Sequence, residues 1–101
     1  MTIYNITTQV TWAVHDRWKQ WLIEEALPEM LSTGLFTHFQ LVRLIEVSEE
    51  DGPTYAVQLY SAGTAELNSF RKNHLPEFDK TEREKWGDSI CSFKSVMEVI
   101  N

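Results

Sequence analysis

The 101 residues predict an α+β fold in the order strand, helix, strand, strand, helix, strand. Three observations predict it. Apolar and polar residues alternate at period two near the N-terminus, in the middle and at the C-terminus. Between these stretches the apolar residues recur at spacings of three and four. The fragment Leu-Pro-Glu stands once in each helical stretch, at 27–29 and 75–77, which marks two halves of similar design.

The first strand is "IYNITTQV", residues 3–10. Tyr4, Ile6, Thr8 and Val10 share one face, and Ile3, Asn5, Thr7 and Gln9 share the other. Thr11 is placed to cap a helix whose apolar stripe runs through Val14, Trp18, Trp21 and Leu22. That helix ends near "STG", with Gly34 at a C-terminal cap position. A long second strand is predicted over 35–47, "LFTHFQLVRLIEV", with apolar groups on both faces, the pattern of a strand covered on both sides. Phe39, Leu41, Arg43 and Ile45 share one side; His38, Gln40, Val42, Leu44 and Glu46 share the other. "SEEDGP", 48–53, is a turn with an Asp-Gly signal. "TYAVQLYS", 54–61, alternates again. Thr64 is placed to cap the second helix, whose stripe passes through Leu67, Phe70, His74 and Phe78 and ends near Trp86-Gly87. The last strand, 90–100, alternates Cys91, Phe93, Met97 and Val99 against Ser92, Lys94 and Glu98.

Two βαβ halves joined by a hairpin give the ferredoxin-like split-βαβ arrangement as one domain over residues 1–101. Crossovers are right-handed, so both helices are expected on one face of a four-stranded antiparallel sheet. The prolines interrupt the helices. Each removes a backbone donor and presses on the carbonyl four residues back, at Glu24 or Lys72. Leu27 and Leu75 are disfavoured in helical angles. A kink or a restart is expected at both places, with proline at the first helical position and Glu29 or Glu77 beside it.

Composition narrows the partners. The formal net charge is −6 and no basic cluster stands out, which argues against nucleic acid and anionic membrane. No stretch approaches the roughly 20 apolar residues of a membrane span. The start has no basic-then-apolar pattern, so no secretory signal is expected. One cysteine, Cys91, excludes an internal disulfide, and a reducing cytoplasm is the expected compartment. Three scattered histidines make no metal motif, and no cofactor is expected.

Two helices leave one sheet face uncovered, with Ile3, Asn5, Thr7, Gln9, Gln58, Tyr60 and Lys94 assigned to it, plus one side of the second strand. An apolar and polar mixture of this kind predicts a homodimer formed sheet against sheet. It also predicts a small-ligand site between the sheets, with Asn5, Arg43, Gln58 and Tyr60 as ligand-binding residues.

The features "IYN", the "W..W" pattern followed by "LPE", "TG.FT", "RLIEV", "TYAVQ" and the closing "MEVI" run nearly end to end. With them the chain resembles a small family of uncharacterised bacterial proteins. The resemblance implies the dimeric α/β-barrel superfamily, which includes small monooxygenases, isomerase-like enzymes, haem-degrading enzymes and stress-responsive proteins. Haem-degrading members pair an Asn on the first strand with a Trp and a His on the second helix. Asn5 and His74 match that pattern; the only Trp near that helix, Trp86, lies twelve residues past His74.

His74 and His38 are the candidate catalytic residues: His74 because it lies on an apolar stripe beside a proline, His38 because one side of its strand faces the uncovered surface. Against this, a histidine on such a stripe is more often a packed core residue. His15 and Asp16 are neighbours on a helix and read as a solvated first turn. Trp12, Trp18 and Trp21 read as core, and Cys91 as a buried, inert thiol. Arg43 with Glu46 is a candidate for a charged substrate or for an ion pair across the dimer. Two functions follow. One is a non-catalytic homodimer that binds a small ligand between its sheets. The other is a cofactor-independent monooxygenase- or isomerase-like enzyme acting on a small organic molecule in the barrel cavity.

Overall fold

The computed structural model describes residues 1–101. β1 (Thr2–Val10) is a central strand, flanked by β3 (Thr54–Ser61) and β4 (Ile90–Glu98); β2 (His38–Arg43) lies outside β3. All pairings are antiparallel, in the order β2-β3-β1-β4. Four helices fill the two crossovers: α1 (His15–Trp21) and α2 (Leu27–Ser32) in the first, α3 (Thr64–Asn73) and α4 (Leu75–Trp86) in the second.

Contacts from both crossovers fix which sheet face is covered. Tyr4 of β1 meets Phe70 of α3 edge-on at 6.1 Å, Tyr55 of β3 meets Trp18 of α1 at 5.5 Å, and Lys94 of β4 bonds Asp79 of α4 at 3.2 Å. Both helical units therefore lie on one face, as handedness requires. Between them sit Tyr4, Ile6, Val10, Val57 and Leu59 from the sheet and Trp18, Leu27, Leu67 and Phe70 from the helices, all buried. Truncating any of the large ones to Ala costs about 3–5 kcal/mol by transfer and cavity terms.

The two prolines are accommodated differently. α1 does not stop before Pro28. It passes through a π-helical stretch, Leu22–Ala26, in which the Leu27 N–H bonds the Leu22 carbonyl, and Leu27 keeps helical angles (φ −65°, ψ −45°). The expected restart and the expulsion of Leu27 from helical space are corrected here: a turn one residue wider relieves the ring's clash with the Glu24 carbonyl. At the second site the chain does break. His74 leaves helical angles (φ −125°, ψ −38°), and α4 restarts with Pro76 in its first turn. The first ladder bond of α4, from the Phe78 N–H to the His74 carbonyl at 3.3 Å, skips the position where proline has no donor.

Three boundaries differ from expectation. β2 covers six residues rather than thirteen, because Phe36 turns into the core before it and Glu46 adopts φ 61° after it. Gly63, not Thr64, is the N-cap of α3, and Val14, not Thr11, that of α1, neither with a side-chain bond. Gly34 and Gly87 hold the positive φ angles, 76° and 50°, expected of helix ends.

Candidate functional site

The register assigns every strand residue to a face. Opposite the helices lie Ile3, Asn5, Thr7 and Gln9 of β1, and Thr54, Ala56, Gln58 and Tyr60 of β3. With them lie His38, Gln40 and Val42 of β2, and Cys91, Phe93, Ser95 and Met97 of β4. They form rows across the sheet. One row reads Gln40, Gln58, Asn5, Ser95 and is wholly polar. The row on one side reads Val42, Ala56, Thr7, Phe93; on the other it reads His38, Tyr60, Ile3, Met97. The Asn5 Nδ2 donates to Thr7 Oγ1 at 3.0 Å, which orients the carboxamide along the strand. His38 stacks on Tyr60 with centroids 4.2 Å apart and planes 11° from parallel, and its Nδ1 lies 2.8 Å from Thr37 Oγ1. The result is an amide belt beside an aromatic platform.

Asn5, Gln58, Tyr60 and His38 thus come together on the open face. Arg43 and His74 do not. Arg43 pairs with Tyr55 in the register and faces the helix side, its guanidinium carbon 5.8 Å from the Tyr55 ring centroid. Lys94, expected on the open face, pairs with Ile6 and reaches α4, a correction that follows from the even register of β4 with β1. Cys91 was expected to be buried; it is exposed, because it faces away from the helices on the outer strand. Of the large apolar residues in β2, only Val42 reaches the open face, since Phe39 and Leu41 oppose Leu59 and Val57.

His74 sits at the break between α3 and α4, its ring against Phe70 at 6.1 Å. It lines a surface cleft of about 280 Å³ between the two helical units, with Trp21, Glu29, Glu77, Phe78 and Lys85. Both Leu-Pro-Glu glutamates, Glu29 and Glu77, face this cleft. Beneath the helices the interior is closed. The voids there measure about 20 and 10 Å³, the size of a single water. Two buried indole donors, Trp18 Nε1 and Trp86 Nε1, have no hydrogen-bond partner in the structure. No group of three or more His, Cys, Asp or Glu side chains is placed to hold a metal ion. Asn5 and His74 lie on opposite sides of the sheet, and Trp86 packs on Trp21, so that trio frames no porphyrin site.

A second polar constellation corrects the reading of His15 as part of a solvated first turn, because its side chain is turned inward onto Tyr55. His15 Nε2 lies 2.7 Å from the Tyr55 hydroxyl, and His15 Nδ1 lies 3.3 Å from Asp16 Oδ1. Trp12 meets the imidazole edge-on at 5.5 Å and donates its Nε1–H to the Glu49 carbonyl at 2.8 Å. Arg43 donates to both Glu49 carboxylate oxygens, at 2.7 and 3.0 Å. That fork holds the Glu49 carboxyl below the usual carboxylate range and keeps Arg43 charged. His15 and Tyr55 are 40 positions apart, so no local spacing signals the contact. Only the inward face of Tyr55 hinted that its hydroxyl needed a partner.

The sequence profile of a single family spans residues 1–100. The chain belongs to the DUF4286 family, described as a domain of unknown function. No curated protein matches it. The DUF4286 fold does match solved structures. HapK from Hahella chejuensis superposes with a TM-score of 0.71 at 9% identity, over 99% of this chain and 93% of that one. An MhuD variant solved with two manganese protoporphyrin IX molecules per active site gives 0.70 at 12% identity, over 100% and 96%. A dimeric ferredoxin-like protein from an uncultured marine organism gives 0.68 at 12%, over 100% and 96%. At these identities the likeness is one of fold, and the DUF4286 chain shares the ferredoxin-like α+β fold with all three.

Proposed function

We propose that the chain works as a homodimer packed sheet against sheet, and that the amide belt holds a small, uncharged ligand between the two sheets. One observation carries the reading. No Asp, Glu, Lys or Arg lies on the open face, in a chain that is 24% charged. The ionised strand residues, Arg43, Lys94 and Glu98, all lie on the helix side. A face that stays in water has no reason to exclude charge; a face that is desolvated on association must, because an unpaired buried charge is costly. Phe93 is 62% exposed in the single chain and gains most from being covered. The marine ferredoxin-like protein of the same fold is dimeric, which supports a dimer here.

The ligand class follows from the belt. Carboxamides of Gln40, Gln58 and Asn5 each offer a donor and an acceptor, with no charge to balance an ion. The platform of His38 and Tyr60 beside them favours a flat ring. A neutral heterocycle with an amide-like edge fits both features. The exposed Cys91 thiol fits a reducing cytoplasm.

Light scattering tests the assembly: twice 11.8 kDa is expected at micromolar concentration, and a mass of 11.8 kDa overturns it. A thermal-shift screen of neutral lactams and purine-like heterocycles tests the ligand. The melting temperature of the native chain should rise with at least one of them and that of Asn5→Leu should not. Equal responses in both proteins would place the ligand elsewhere.

A further inference from the structure

We propose that Arg43 anchors a second site, for a small carboxylate, and that Glu49 occupies it as an internal stand-in. The Glu49 carboxyl meets the guanidinium through both oxygens, Oε1 to Nη2 and Oε2 to Nε, the planar fork with which Arg recognises carboxylates. The pair is open to solvent, with 42% of the Arg43 side chain and 31% of the Glu49 side chain exposed. It borders a concavity of about 420 Å³ lined by Arg43, Leu44, Ile45, Glu46, Val47 and Glu49. An exposed ion pair contributes little, so an external carboxylate can displace the internal one.

The tip of the loop that carries Glu49 is lightly held. It turns at Glu46 with φ 61°, a conformation that non-glycine residues adopt at a cost. Ile45 is 79% exposed, so little apolar packing holds that part of the loop down. Between Ile45 and Asp51 its hydrogen bonds back to the body are the fork itself and the Trp12 bond to the Glu49 carbonyl, while Gly52 and Pro53 tie the base of the loop to Gln9 and Val10. Beneath the guanidinium lies the Tyr55 ring, whose hydroxyl is held by His15. Departure of Glu49 would therefore bare a fixed cation with an aromatic floor. A small acid with a short apolar or aromatic body, such as benzoate or pyruvate, fits that floor and the apolar wall of Leu44, Ile45 and Val47. The net charge of −6 makes loose anion attraction unfavourable, so saturable binding would report a built site.

The test uses the full chain, isotope-labelled, titrated with sodium benzoate, sodium pyruvate and sodium chloride as control. Saturable shifts of the Trp12 indole N–H and the Arg43 Nε–H are expected with the carboxylates and not with chloride. Glu49→Gln removes the competitor and should tighten benzoate binding up to about fivefold, the ceiling set by an exposed ion pair. Arg43→Gln should abolish the shifts at Trp12, and Arg43→Lys, which keeps the charge without the fork, should weaken them. The proposal is overturned if Glu49→Gln gives no saturable shift, or if binding survives unchanged in both Arg43 variants. Neither result bears on the mass seen by light scattering.

Discussion

Tyr4 shows what burial does to one group. It is 2% exposed, and burial pushes its phenol up to about 12, with the Asp79 carboxylate adding to the shift and Arg71 opposing it. The interior rejects the phenolate, so the folded state holds its proton to higher pH than the unfolded chain, whose tyrosines ionise near pH ~10. This contribution is whole below that pH and is lost as pH rises toward 12; at most it amounts to about 3 kcal/mol. Alkaline unfolding followed by circular dichroism should begin above pH ~10, and Tyr4→Phe should move its midpoint upward. An unmoved midpoint would remove Tyr4 from the account. Glu82 follows the same sign. Burial on the inner side of α4, beside Ile6 and Trp21, raises its carboxyl, Lys94 opposes, and Asp79 adds. The charged form is the destabilising one, so stability is greatest below the ordinary Glu pKa of about 4.3 and declines as the group ionises. Glu82→Gln should raise the melting temperature at neutral pH and leave it nearly unchanged near pH ~4. A lower melting temperature at neutral pH would mean that the attraction to Lys94 outweighs burial.

At the scale of elements, identical triplets met different neighbours. Pro28 follows a continuous helix whose inner face is pinned by Trp18, Leu22, Leu27 and Met30, all buried, so the strain is absorbed by widening one turn. Pro76 follows a segment that ends at His74, and α4 buries no residue fully, so breaking the helix there costs little packing. The hairpin after β2 carries a sharper constraint. Gly52 has φ 153°, and a Cβ there would sit 1.7 Å from the Val10 carbonyl oxygen, which is backbone and cannot swing away. Gly52→Ala should cost more than about 3 kcal/mol, at the high end for point changes, and urea denaturation measures it. A loss below about 1 kcal/mol would mean that the hairpin shifts freely.

For the whole molecule the decisive feature is how charge is distributed over the sheet. Phe93→Asp puts a carboxylate on the edge strand β4, at the end of the row that holds Thr7. In a sheet-to-sheet dimer that charge is buried twice by symmetry, and the mass should fall to that of one chain. In a monomer the same change replaces an exposed ring by an exposed acid and should leave the mass and the fold unaltered. A Phe93→Asp protein that remains dimeric would move the interface to another surface.

Much of the fold was legible in the chain: the period-two runs, the period-three-and-four runs, Gly34 and Gly87, and the six-element order are local patterns, and local sterics and periodicity set them. The amide belt was partly legible, since Asn5, Gln58 and Tyr60 follow from alternation alone. The sides taken by Arg43, Lys94 and Cys91 were not, because a one-residue choice of register sends a side chain to the opposite face, and register is fixed by partners on other strands. The same holds for His15 against Tyr55 and for Glu49 on Arg43, where a loop closes over residues far away in sequence. The sequence by itself determined which elements form and where proline interrupts them. Only the tertiary structure decided that one proline widens a helix and the other breaks it, that the free sheet face carries no ion, and that a glutamate from the hairpin fills the one arginine fork beside it, because each depends on which distant neighbours packing brings into contact.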